Sequence, residues 1–225
     1  MSQTIELMIQ KIKFSLLMAT ILNSSLAFSQ NVYDSLQLDS SNTAIIVIEF
    51  QKTWTQKGNF LNRLIRKPLR KNKIIPKTKS FLDSARQRGY TIIHTPLILD
   101  KNNKEEYRKM PFMPKLMGAF TANTWKAEFE EGIRKDTDIV AVGRTGFDAC
   151  EGSNLQELVQ GYQNLLVAGF LTDQCVEATM KTLKKNGHNC IMISNGTATN
   201  FKSVQRKVEK RNHSIKTDEL LTVMN

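Results

Sequence analysis

A cysteine placed where a buried strand meets the start of a helix is set up for nucleophilic chemistry, and Cys175 stands at such a junction. Unpaired amides and the positive end of the helix dipole stabilise a thiolate, which is the reactive form. The same amides can hold an oxyanion while a carbonyl is attacked. Two other residues suit that chemistry. Glu49 closes an apolar run that starts at Thr43, and can carry the proton. Arg144 follows the apolar stretch 138–142, and its charge is expected to lower the thiol pKa. An acid, a cation and a thiol converging on one site make a nucleophile constellation. Each also has a plain alternative. Cys175 could be a small buried hydrophobe, and Glu49 an N-cap or surface carboxylate.

The elements that must position these residues follow from apolar patterning. Residues 43–51 form a continuous apolar run, expected as a central parallel strand buried on both faces. Residues 164–168 predict another strand, ended by Gly169. Residues 170–174 then read as a loop, with Thr172 and Asp173 as turn or N-cap candidates. Cys175 is expected to open a helix with Val176, Met180 and Leu183 on its apolar face and Gly187 at its C′ position.

Elsewhere a helix is predicted over 78–88, stopped by Gly89, and a strand over 90–96. His94 at that strand's end reads as structural rather than as a ligand. Residues 100–110 read as a surface loop. Trp125, Phe129 and Ile133 predict a helix over 120–134. Residues 138–142 predict a strand, and Ser153 with Gln156 a capping box on the next helix. A fifth strand is expected at 189–193, a weaker sixth at 213–216 and a last helix from Asp218. The segment 63–79 is densely basic; Pro68 and Pro76 argue against one long helix, and its charges read as a solvated face.

The alternation of strand and helix predicts an α/β, three-layer doubly wound fold with a mostly parallel sheet of five or six strands. Ligands in such sheets bind outside the carboxyl ends of the strands. Glu49, Arg144 and Cys175 come from three such ends.

Composition narrows the class. The chain has 225 residues, 40% hydrophobic and 24% charged, which suits one globular domain. Its formal charge is +11, yet aromatic residues are only 8% and no basic-aromatic module stands out, so no nucleic-acid partner is expected. Three cysteines leave at least one thiol free, which argues against a disulfide scaffold. No cysteine or histidine pairing has zinc spacing, so no metal is expected. Lys11 and Lys13 precede a short apolar core from Phe14 to Leu22, and Ala27 and Ser29 flank Phe28. That pattern predicts a signal peptide over 1–29, a mature domain over 30–225, and a periplasmic or secreted protein with no membrane contact after cleavage. The alternative is an amphipathic N-terminal helix on a cytoplasmic protein.

The chain resembles the isochorismatase-like cysteine hydrolases. The segment 169–179, GFLTDQCVEAT, is similar to that family's nucleophile motif. Residues 44–51 resemble the family's opening strand with its acid and glutamine, 94–96 its H-x-P, and 143–155 its lysine segment. The likeness runs over about 43–198. It implies Cys175 as nucleophile, Glu49 as general acid/base, and Arg144 in the lysine's place. It implies an oxyanion loop at Phe170, Leu171 and Thr172 with a non-proline cis peptide, and a pocket near Phe50, His94 and Phe147. The expected reaction is hydrolysis of a small-molecule amide or other C–N bond through a thioester-like intermediate, without a cofactor. Two residues depart from the pattern. Glu49 replaces an aspartate, and Arg144 cannot lose a proton as lysine can. The alternative is therefore a degenerate binding member of the same fold. Relatives commonly assemble, so a homo-oligomer is one expectation.

Overall fold

The computed structural model describes residues 38–225. The expected signal peptide, 1–29, lies outside the described residues. The strands are β1 (Thr43–Ile48), β2 (Thr91–Thr95), β3 (Ile139–Val140), β4 (Asn164–Phe170), β5 (Asn189–Ala198) and β6 (Ser214–Ile215). They form one parallel sheet in the order β3-β2-β1-β4-β5-β6. The order reverses between β1 and β4, and the crevice beyond their carboxyl ends is where a doubly wound sheet opens to ligands.

Every residue of β1 and β4 is buried, which explains their unbroken apolar runs. On one face Ala44, Ile46, Ile48, Leu165 and Val167 pack with Val159, Met180, Leu183 and Val208. These come from α6 (Leu155–Val159), α7 (Glu177–Lys185) and α8 (Lys202–Arg211). The other face is covered mainly by α2 (Phe60–Lys71), α3 (Ile74–Gln87) and α9 (Thr217–Val223), with Ile74, Phe81, Leu82 and Ala85 turned inward. Full burial of each such side chain stabilises by about 1.5–3 kcal/mol.

Several expectations are corrected. The segment 120–134 is not a helix. Phe120, Asn123 and Gly132 hold left-handed backbone, and its carbonyls and amides bond to the chain after β1 (Lys52 N to Glu128 O, 2.8 Å; Glu130 N to Phe50 O, 2.8 Å). The supposed loop at 100–110 contains α4 (Lys104–Lys109), capped by Asn103. Gly169 does not end β4. The strand runs on through a register shift, and a Cβ there would lie 2.4 Å from the Ile48 carbonyl oxygen. The basic segment forms two helices broken at Lys73, which is left-handed, rather than at a proline; Pro68 lies inside α2. No capping box forms at Ser153. Its hydroxyl accepts from Leu155 N and donates to Ala149 O, while Gln156 accepts from Asn186.

Candidate active site

Glu49 leaves β1 with φ 55°, in the left-handed region that costs an L-residue about 1–2 kcal/mol. That turn starts the short helix α1 (Lys52–Thr55) and swings Trp54 back onto the acid. The indole Nε1 donates to Glu49 Oε2 at 2.8 Å. Gln51 fixes the turn from the other side: its amide donates to the carbonyls of Leu97 (3.0 Å) and Ala127 (2.9 Å) and accepts from Leu97 N (3.0 Å).

Arg144 is buried at 4% exposure. Gly143 precedes it with φ 84°, and a Cβ there would lie 2.7 Å from the Gly152 carbonyl oxygen, so the loop folds tightly on itself. The guanidinium donates to Glu49 Oε1 at 2.5 Å. Its other donors go to the carbonyls of Thr95 (2.8 Å), Gly146 (3.0 Å) and Phe147 (2.8 Å). A planar fork with five donors can tie one carboxylate and three carbonyls together; an ammonium cannot.

Cys175 is 3% exposed and its sulfur interacts with both Glu49 and Arg144. The Phe170–Leu171 peptide is cis, as the resemblance implies. Helical structure begins earlier than expected, with a π-helical turn over Thr172–Val176 in which Val176 N bonds to Leu171 O at 3.2 Å. Cys175 thus lies within this first turn rather than opening the helix. Thr172 donates to Gln205 at 2.7 Å. Thr179 donates to the Cys175 carbonyl (2.7 Å) and accepts from Ala149 N (2.8 Å), joining the cysteine's helix to the loop that carries Arg144.

The electrostatics differ from expectation. Burial pushes the Cys175 thiol well above its ordinary value, and the Glu49 carboxylate adds to that; Arg144 pulls the other way and is outweighed. The resting group is a neutral thiol beside an ion pair. Burial likewise pushes Cys150 and Cys190 up to about 12 each.

The three residues proposed for the pocket lie apart. Phe50 is fully buried and its ring lies tilted against that of Phe170, with centroids 4.6 Å apart. Phe147 is 42% exposed and lines a surface cavity of about 710 Å³ beside Asp173 and Gln174. His94 is engaged elsewhere, its Nε2 2.9 Å from Asp138 and its ring edge-on to Phe129. Sequence reasoning gave Trp54 and Thr95 no part in the site, and placed Gln51 only as the glutamine that follows the acid. The Thr95 hydroxyl is buried with no partner among the described residues, on the residue whose carbonyl receives Arg144. Among the described residues no group of three His, Cys, Asp or Glu side chains could hold a metal ion.

The sequence profile of the isochorismatase domain matches residues 43–217. The chain is 22% identical over 180 residues to the ureidoacrylate amidohydrolase RutB of Rhizobium rhizogenes, covering 73% of each. Its fold is similar to that of an isochorismatase family protein from Desulfovibrio vulgaris (TM-score 0.69, 17% identity, 81% of this chain and 98% of that one). It is also similar to N-carbamoylsarcosine amidase from Thermoplasma acidophilum (TM-score 0.62, 15% identity, 79% of this chain and 97% of that one).

Proposed function

Because the chain belongs to the isochorismatase family, we propose that it is a cysteine hydrolase of small-molecule amides or related C–N bonds, with Cys175 as nucleophile, Glu49 as proton carrier and Arg144 as fixed charge. The observation that carries this reading is the buried Glu49–Arg144 pair held against the Cys175 sulfur. The names of the relatives, two of them amide-cleaving enzymes, support the bond type.

The neutral thiol fits a mechanism in which deprotonation accompanies attack. Glu49 takes the Sγ proton as sulfur bonds to the substrate carbonyl carbon. First-turn amides near Leu171–Cys175 receive the charge on oxygen. Glu49 then protonates the leaving nitrogen, the C–N bond breaks, and ammonia or an amine departs from a thioester on Cys175. Water attacks the thioester as Glu49 takes its proton, the C–S bond breaks, and the proton returns to sulfur as the acid leaves. Arg144 keeps its proton throughout and holds Glu49 in position.

A second reading, a binding protein without turnover, is favoured by the occupation of both Glu49 oxygens by Trp54 and Arg144. Ammonia release from a panel of primary amides, ureido acids and carbamoyl amines separates the two. Release that depends on Glu49 and Cys175 supports the hydrolase; saturable binding of panel members without release supports the binding protein.

A further inference from the structure

A second cleft opens at the carboxyl edge of the sheet, where β5 ends between α2 and the start of α8. It encloses about 380 Å³, within the range of small-ligand sites. Lys67 and Lys71 line it from α2 and Lys202 from α8, and no carboxylate is among the described residues that line it. None of the three lysines has an ion-pair partner among the described residues. Lys67 and Lys71 stand four residues apart on one helix, where like charges repel unless something answers them. The floor is Thr199, only 5% exposed, whose hydroxyl has no hydrogen-bond partner among the described residues. The ten-residue α8 begins here with no side-chain cap on its amides, the end of a helix that attracts anions.

The cleft is wired to the candidate active site. Ala198 pairs in register with Phe170 of the oxyanion loop. Gln205 donates to Thr197 Oγ1 at 3.1 Å within the cleft and accepts from Thr172 at 2.7 Å outside it. We propose that this cleft binds a small anion, a carboxylate or phosphate group, between Lys67, Lys71, Lys202 and Thr199. The basic segment then supplies a dedicated site and not only a solvated face. The anion belongs either to the substrate, an acid-bearing amide, or to a separate ligand; only the first assignment rests on the hydrolase reading.

Isothermal titration calorimetry of the full chain with inorganic phosphate and with succinate, at fixed ionic strength, tests the site without needing turnover. One saturable site per chain is expected. Lys67→Ala/Lys71→Ala weakens it by roughly tenfold or more. Thr199→Val, which keeps the shape, weakens it by a smaller factor. Lys101→Ala/Lys104→Ala, outside the cleft, leaves it unchanged. No saturable binding to folded protein, or equal loss in the control pair, overturns the proposal. Where binding is lost as expected, a KM that rises for carboxylate-bearing amides but not for neutral ones places the anion on the substrate. A KM unchanged for both assigns the site to a separate ligand.

Discussion

Among the described residues, two clusters join an acid, an arginine and a third polar group, and they do different things. In the first, Asp138 receives Arg86 through both its Nε (2.9 Å) and a terminal nitrogen (2.6 Å), with His94 Nε2 and Lys135 N each at 2.9 Å. Burial works against its charge, yet these donors hold its carboxyl far below the usual range. Three of these donors meet Oδ2 and one meets Oδ1, so the carboxylate is committed to tying Arg86, His94 and the Lys135 backbone together, and no nucleophile faces it. In the second, Glu49 takes only one donor on each oxygen, from Arg144 and Trp54, and Arg144 gives its remaining bonds to carbonyls. The carboxylate keeps room for a proton, and its third partner is a thiol that can release one. A cluster whose partners are all structural cements the fold; one that faces a nucleophile can turn over.

That contrast is sharpest in activity. Cys175→Ala is expected to remove turnover by about 10³-fold or more, with a urea midpoint near the parent's. Glu49→Gln lowers kcat by about 10²–10⁴-fold, the range for a lost general base. In the other cluster Asp138→Asn leaves Arg86 with Asp83 as its remaining counter-charge and costs about 1–3 kcal/mol of stability, read by urea unfolding, while kcat in the folded fraction stays close to the parent's. If Asp138→Asn instead abolished kcat without loss of stability, the assignment of the two clusters would be reversed.

Much of the contrast was legible in the sequence, and some was not. The strands read out because a parallel sheet covered on both faces demands unbroken apolar runs, as in 43–48 and 164–170. The Cys175 junction read out because a strand, a turn and a helix are local events. The partners of Arg144 did not, since the carbonyls of Thr95, Gly146 and Phe147 are backbone groups that any residue supplies. Trp54 escaped for a related reason: only the left-handed turn at Glu49 brings the indole back to the acid. The false helix at 120–134 arose because Trp125, Phe129 and Ile133 share a spacing but not a face. Trp125 is half-exposed, Phe129 lies against His94, and Ile133 is buried. Nor could sequence weigh burial against charge at Cys175, where burial wins.

Smaller effects sharpen the comparison further. Arg144→Lys keeps a charge beside Glu49 but leaves the three carbonyls short of donors, with an expected loss of about 1–3 kcal/mol in urea unfolding. Acid should find the Asp138 cluster first. Burial, opposed by Asp138, holds His94 below its ordinary value, so its neutral form is the one the fold favours. Its contribution is complete above about pH 6.5, the unfolded value, and is lost as pH falls below it. A second loss follows below about pH 4, as Asp138 must be protonated. The urea midpoint should therefore decline in two steps on acidification; His213, which burial also holds below its ordinary value, shares the first, so His94→Leu should shrink that step without removing it.

The most direct test is to quench the enzyme in acid during turnover of an amide from the panel and weigh the Cys175 peptide. The account predicts an added mass equal to the acyl portion, sensitive to hydroxylamine and absent from Cys150 and Cys190. Ammonia released at the parent rate by Cys175→Ala, with no adduct on the parent's Cys175, would contradict it.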